Sequence, residues 1–550
     1  MKKLISPLTL FVWVIGWCLM PTVWAAPKHN SSEELRQLAN SVVKIYTTAE
    51  VFNAFTPWNS GSESRIGSGF IIEGNRIVTN AHVVANGTFI EVQRDGDPER
   101  YEAEVEFVTH EADLALLKVR DDKFLKDKKP LVIGGLPDIH QEVTAYGFPT
   151  GGDSLSVTKG IVSRIEYQTY AHSDLMFKAI QIDAAINAGN SGGPALSNGK
   201  VVGVVMQVAG NGEENIGYII PTSILNHFLK DIADGKYDGF PRLAIVTEEL
   251  LNPAIRKKHN LKTGDPGILL TSVCAGNNAE QFLKLGDIIT HINKYPIESN
   301  GTIMYEPERF INFFHEVDML QVGETLKLKV LRQGKSLELE LPLLTSDKTD
   351  YSYDEQPRYW VYGGFVFTPR KLYDRCLTRQ EFDKLDQPNQ TEYVRISRVL
   401  ASSSNVGFHD TTMTVDKVNG QYFDDFNEFY KLMNSIQDPF VTLTNSSGFE
   451  VVIERAVAQA EHEKLLKKYH MKADRSEDLK QLDKTLQQSS NNAKPATTEA
   501  EDKSAPAKLD SKPASPADVK SQSTPNVPDK PSESPKDIPE DTKAPTPKSN

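Results

Sequence analysis

Cysteine is scarce, with three in 550 residues, at positions 18, 274 and 376. Residues so few and so far apart cannot form a disulfide framework or a cysteine-built zinc site, so the chain must rest on its hydrophobic cores. Positive charge is in deficit, 61 Lys and Arg against 74 Asp and Glu, and no basic stripe interleaved with aromatics occurs. That balance argues against nucleic acid and in favour of proteins and peptides as partners. Neither GxxxxGK[ST] nor HExxH is present, so no nucleotide motor, metal or other cofactor is called for. Beyond residue 26 no apolar run is long enough to span a bilayer.

What is present begins with Met1-Lys2-Lys3 and the apolar run of residues 4–26, the charged start and hydrophobic middle of a secretory signal. Cleavage after Ala25 puts Val23 and Ala25 at the small-residue positions, whereas cutting after Ala26 would put Trp24 there. Residues 1–25 are therefore read as a signal peptide, with an uncleaved membrane anchor as the alternative. Cys18 follows the bulky Trp17 and makes a poor lipid-attachment site. A chain of this length divides into several cores. Residues 38–240 read as many short β-runs punctuated by Gly, Asn and Asp, the pattern of a sandwich or barrel. They close with a helix in "PTSILNHFLKDIADG", capped by Thr222 or Ser223 and ended by Gly235. Residues 242–345 form an α+β module with a helix expected near "EPERFINFFHEV". Residues 357–470 repeat that grammar as a diverged second copy. The polar span from Ala456 to Leu486 reads as helical near "AVAQAEHEKLLKKYH". The Pro, Ser and Lys-rich stretch 487–550 holds no aromatic residue and too little apolar surface to offset ordering, which predicts a disordered tail.

The stretch "DAAINAGNSGGPAL" places Ser191 among Gly189, Gly192 and Gly193. Glycines cost backbone entropy, so three together mark a turn that needs positive φ or a close approach of backbone. A serine hydroxyl is a weak nucleophile and needs a base that a carboxylate holds. Upstream, His82 lies in "RIVTNAHVV" and Asp113 in "THEADLALLKV". The order His, Asp, Ser is that of the chymotrypsin-type triad. Ser191 Oγ would attack the scissile carbonyl, His82 would take and return the proton, and Asp113 would fix the imidazole. The N–H groups of Gly189 and Ser191 would form the oxyanion hole, with Asn190 orienting the loop. Loss of one such donor typically costs about 2.7 to 4 kcal/mol.

The blocks "GSGFIIEGNRIVTNAHVV", "HEADLALLKV", "SVTKGIVSRI", "IQIDAAINAGNSGGPAL" and "NIGYIIP" resemble the HtrA/Deg family of serine endopeptidases. The continuation "FPRLAIV", "VYGGFVFTP", "VGFHDTTMTVDKVNG" and "RSEDL" is similar to the plant-type Deg branch. The resemblance implies a mainly β fold: a trypsin-like double β-barrel over 38–240, a PDZ domain over 242–345 and a diverged PDZ-like domain over 357–470. Where trypsins carry an acidic pocket floor this chain has Ala185, so Lys and Arg are not attracted. The resemblance places Ile186, Val204, Met206 and Val208 around a pocket for small aliphatic residues, although Val204 and Met206 read equally as barrel core. It places Leu243, Ala244 and Ile245 at a loop that holds peptide C-termini by strand addition. It implies misfolded or damaged proteins as substrates, without ATP, in the periplasm. Outright secretion, or a chaperone or peptide-binding protein with little proteolysis, are the alternatives. It also implies a homo-oligomer built from trimers, with Phe52, Phe55 and Trp58 at the contacts.

Overall fold

The computed structural model describes residues 37–492 apart from 54, 126–127, 209–215, 275–276, 307–308, 345–352, 354–355 and 372–389. The expected signal peptide, most of the expected tail and Cys376 lie outside the described residues. Twelve strands make two closed barrels of six. The first holds β1 (Val42–Asn53), β2 (Thr56–Ile72), β3 (Arg76–Thr79), β4 (Gly87–Arg94), β5 (Tyr101–Thr109) and β6 (Leu114–Val119), in the order β1-β2-β3-β6-β5-β4. The second holds β7 (Glu142–Gly147), β8 (Ser156–Thr169), β9 (Met176–Ile182), β10 (Pro194–Ser197), β11 (Lys200–Val208) and β12 (Gly217–Pro221), in the order β10-β11-β12-β9-β8-β7.

Strand sequences explain the closure. In β6, "LALLKV" buries Leu114 to Leu117 and Val119 and exposes Lys118, because it meets the barrel interior on one face and the neighbouring barrel on the other. Leu114 and Leu116 join Val204, Met206 and Ile220 in a cluster shared by both barrels, while Leu117 fills the first barrel alone. The helix Thr222–Asp231 packs Ile224, Leu225 and Phe228 into the shared cluster and ends near Gly235, whose φ is +88°. Its cap is Pro221 and not Thr222 or Ser223, both of which lie inside the helix.

After the barrels, the strands Ile245–Glu248, Ile268–Val273, Ile288–Ile292, Thr325–Arg332 and Lys335–Pro342 form one antiparallel sheet, with Ile245–Glu248 at its edge. The helix expected near "EPERFINFFHEV" is not there. Arg309–Asn312 is a strand paired with Thr302–Glu306, and only His315–Asp318 turns as a helix. Phe310 is exposed, Ile311 buried and Phe313 buried, so the residues alternate with period two despite their helical spacing. The Asn312 side chain accepts the Phe314 N–H at 3.0 Å and turns the chain between the two elements.

In the last region, strands from Trp360 to Glu454 surround the helix Phe426–Ser435. Asp425 caps that helix by accepting the Glu428 N–H at 2.7 Å. Two more helices follow, Arg455–Lys468 and Glu477–Asn492, the second continuing through the start of the expected tail. Trp58 packs 5.9 Å from Tyr359, against a cluster with Val361, Leu465 and Met471. An aromatic expected at a subunit contact thus lies against its own chain, while Phe55 is 60% exposed.

Candidate active site

His82 sits on the one-turn helix Ala81–Val84, directly after β3. Such a helix cannot hold itself, and Asp113 supplies what it lacks. One carboxylate oxygen accepts the backbone N–H of His82 at 2.9 Å and the other accepts Nδ1 at 2.8 Å. Asn80 donates from its side chain to the Asp113 carbonyl at 2.8 Å. Asp113 itself is buried in a left-handed conformation, φ +52°, which short polar residues tolerate better than most. Burial pulls the imidazole of His82 toward the neutral form, but the charge and hydrogen bond of Asp113 outweigh it and raise its pKa above 6.5. With Nδ1–H directed at the carboxylate, Nε2 carries the lone pair.

Ser191 comes from the second barrel, in the turn before β10. Gly189 has φ +98° and Gly192 φ +85°. A Cβ on Gly189 would overlap the Phe148 carbonyl, one on Gly192 the Ser68 carbonyl, and one on Gly193 the Tyr146 carbonyl. All three glycines are therefore required by close approach of backbone. The turn is fixed by Asn190 N–H to Asn187 O at 3.0 Å, Gly193 N–H to Asn190 O at 3.0 Å, and Gly192 N–H to Val205 O at 2.8 Å. Among the described residues, neither the Gly189 nor the Ser191 N–H has an acceptor. The Ser191 hydroxyl donates to the Met206 carbonyl at 3.1 Å, not to His82.

Sequence reasoning missed Ser68. Its N–H donates to Ser191 O at 2.8 Å, its hydroxyl donates to Gly189 O at 2.7 Å, and that hydroxyl accepts the Phe148 N–H at 2.8 Å. One buried β2 serine thus pins both expected oxyanion residues. The signal available in the sequence was a serine held between Gly67 and Gly69, in a strand otherwise apolar at that end. Asn190 is buried, and its Oδ1 has no partner among the described residues.

The expected pocket residues are divided. Ala185 is exposed, and Ile186 is half-buried against Gly217. Val204 and Met206 are buried in the cluster shared by the barrels, the core reading of these positions. Val208 ends β11. Farther off, Leu243 is buried, Ala244 half-buried, and Ile245 begins the edge strand, its N–H held by Leu243 O at 2.9 Å. Ala244 O accepts the Cys274 N–H at 3.0 Å, and Cys274 is disulfide-bonded.

Residues 67–204 match the trypsin-like peptidase domain family and residues 349–478 the PDZ domain family. Two six-stranded barrels followed by a PDZ domain define a trypsin-like serine protease, a hydrolase of peptide bonds joined to a peptide-binding module. The chain is 36% identical over 448 residues to "Protease Do-like 4, mitochondrial" of Arabidopsis thaliana, covering 79% of this chain and 84% of that one. It is 34% identical to "Protease Do-like 2, chloroplastic" of the same plant, covering 80% and 75%. With "Serine protease DegP homolog" of Plasmodium falciparum it shares 41% identity, covering 69% and 56%. The chain belongs to the HtrA/Deg family of Do-like serine proteases.

Proposed function

We propose that Ser191, His82 and Asp113 are the triad of an ATP-independent endopeptidase that degrades misfolded or damaged proteins outside the cytoplasm. The observation that carries this is the double hold of Asp113 on His82, which sets one imidazole tautomer in a serine protease fold. Ser191 Oγ leaves the Met206 carbonyl, turns to His82 Nε2, gives up its proton and attacks the scissile carbonyl. The developing oxyanion takes the N–H groups of Gly189 and Ser191. His82, now charged against Asp113, returns the proton to the leaving amine, and water repeats the cycle on the acyl-enzyme. Ala185 and Ile186 support cleavage after small aliphatic residues, since neither offers a carboxylate to a basic side chain.

The exposed edge of Ile245–Glu248 supports binding of C-terminal peptides by strand addition at 242–345, with Leu243, Ala244 and Ile245 in contact. The charged start and apolar run at residues 1–25 support export to the periplasm, although the relatives compared are named mitochondrial and chloroplastic. The disulfide of Cys274 fits an oxidising compartment. No described helix is long and apolar enough to cross a membrane. Trimer-based assembly is proposed through the exposed Phe55, with Trp58 already engaged in its own chain. The test is cleavage of an unfolded casein-like protein by the chain lacking residues 1–25, beside Ser191→Ala. Cleavage by the unsubstituted chain alone supports the triad. Equal cleavage by both rejects it.

A further inference from the structure

Two imidazoles outside the proposed triad stand beside it, one from each barrel. His110 lies in the turn between β5 and β6 that delivers Asp113, whose N–H meets the His110 carbonyl. His172 lies in the loop between β8 and β9, its ring centroid 6.1 Å from that of His82. His110 Nδ1 and His172 Nε2 are 2.9 Å apart and share a hydrogen bond. The loop is well anchored: Tyr170 N–H donates to Leu175 O, the N–H groups of Ser173 and Asp174 donate to Tyr170 O, and the buried Tyr170 hydroxyl donates to Lys178 O at 2.6 Å. Burial lowers His172 to about 4, so its ring is neutral at pH 7.

Tyr353, which follows the first sheet in sequence, lies across both rings. Its centroid is 4.3 Å from that of His172 and 4.7 Å from that of His110, with interplanar angles of 22° and 30°. Its hydroxyl donates to the His172 carbonyl at 2.9 Å. All three residues are half-buried, so the stack is reachable from solvent.

We infer that His110 and His172 form a subsite for an aromatic side chain of the substrate polypeptide, beside His82, and that Tyr353 of the same chain occupies it here. The inference rests on the triad reading. Its chemistry is that of a pre-set pair of imidazole faces, inclined 44° to one another with centroids 5.2 Å apart, which rewards an aromatic ring over an aliphatic one. A backbone carbonyl at its rim can take a phenol hydroxyl. Tyr353 and a substrate aromatic therefore compete for one place, and removing Tyr353 lowers KM for substrates that carry the ring.

The test uses the chain lacking residues 1–25 and a peptide set in which Tyr replaces Ala at one position at a time around the scissile bond. At one position Tyr is expected to improve kcat/KM by roughly two- to tenfold, through KM. Tyr353→Ala should improve that peptide by a further factor of the same order, leaving the Ala peptide nearly unchanged. His172→Ala should abolish the preference and His172→Phe should restore it. The same peptides titrated into Ser191→Ala give the preference as a ratio of Kd values. That arm still reads the subsite if no variant hydrolyses anything, in which case the triad reading alone fails. A preference that survives His172→Ala in a folded variant overturns the inference, as does a KM that Tyr353→Ala does not move.

Discussion

The two barrels hold their contributions to the site in different ways. In the first, His82 and Asp113 are locked, because one carboxylate binds both the backbone and the ring of the same residue. In the second, the loop bearing Ser191 is equally fixed in its backbone, yet the hydroxyl is directed to the Met206 carbonyl. On the proposed triad, the base is thus set before substrate arrives, while the nucleophile still has one bond rotation to make. The difference teaches that backbone order and side-chain readiness are separate quantities, since three glycines and Ser68 secure the first without the second.

The largest break in the comparison is Ser191→Ala, expected to lower turnover by up to about a millionfold in a casein assay. Asp113→Asn disrupts the other barrel's contribution and should cost about 10⁴-fold in kcat by mis-setting the tautomer. Asp113→Asn keeps an amide oxygen for the His82 backbone N–H, so it is Asp113→Ala that should, unlike Ser191→Ala, also lower Tm, because the His82 helix then loses its backbone acceptor. Gly189→Ala forces a Cβ into the Phe148 carbonyl at positive φ, and about 1 to 3 kcal/mol of strain is expected in denaturant titration, with kcat reduced as well. Ser68→Ala removes a buried hydroxyl that donates to Gly189 and accepts from Phe148. It should destabilise by about 1 to 3 kcal/mol and impair kcat more than KM.

The smallest effect is in pH. Because Asp113 raises His82 above 6.5, the acid limb of kcat/KM should have its midpoint above pH 6.5 and should move down in Asp113→Asn. For stability, the raised folded value makes the protonated ring the favoured one. The His82 contribution is then complete below the unfolded pKa near 6.5 and fades as pH rises through the folded value. The gap in stability between Ser191→Ala and its His82→Gln double variant should narrow accordingly, and only slightly, since the His82 side chain is about one-third exposed.

Much of this was legible in the sequence because it is local. Strand runs such as "YEAEVEFV" and "KVVGVVMQV" carry their own turn residues, and the three glycines around Ser191 announce backbone crowding in the sequence itself. What was not legible depends on register. Ser68 is an unremarked strand residue until β2 is laid beside the Ser191 loop. Phe310, Phe313, Phe314 and Val317 fall at helical spacing, but the pairing of Arg309–Asn312 with Thr302–Glu306 turns them into a hairpin and a single turn. Trp58 and Tyr353 meet partners more than 180 positions away, and no pattern within either segment points across that distance.

The double duty of Asp113 also bears on how such a chain could change its trade over generations. Substituting Asp113 damages an element of the first barrel together with the chemistry, so that route away from proteolysis passes through a weakened fold. Substituting Ser191 gives up a single hydroxyl bond to Met206 and leaves the frame intact. A descendant that keeps the barrels for capture and abandons cutting would be expected to retain the histidine and the aspartate as architecture, and to have altered the serine first.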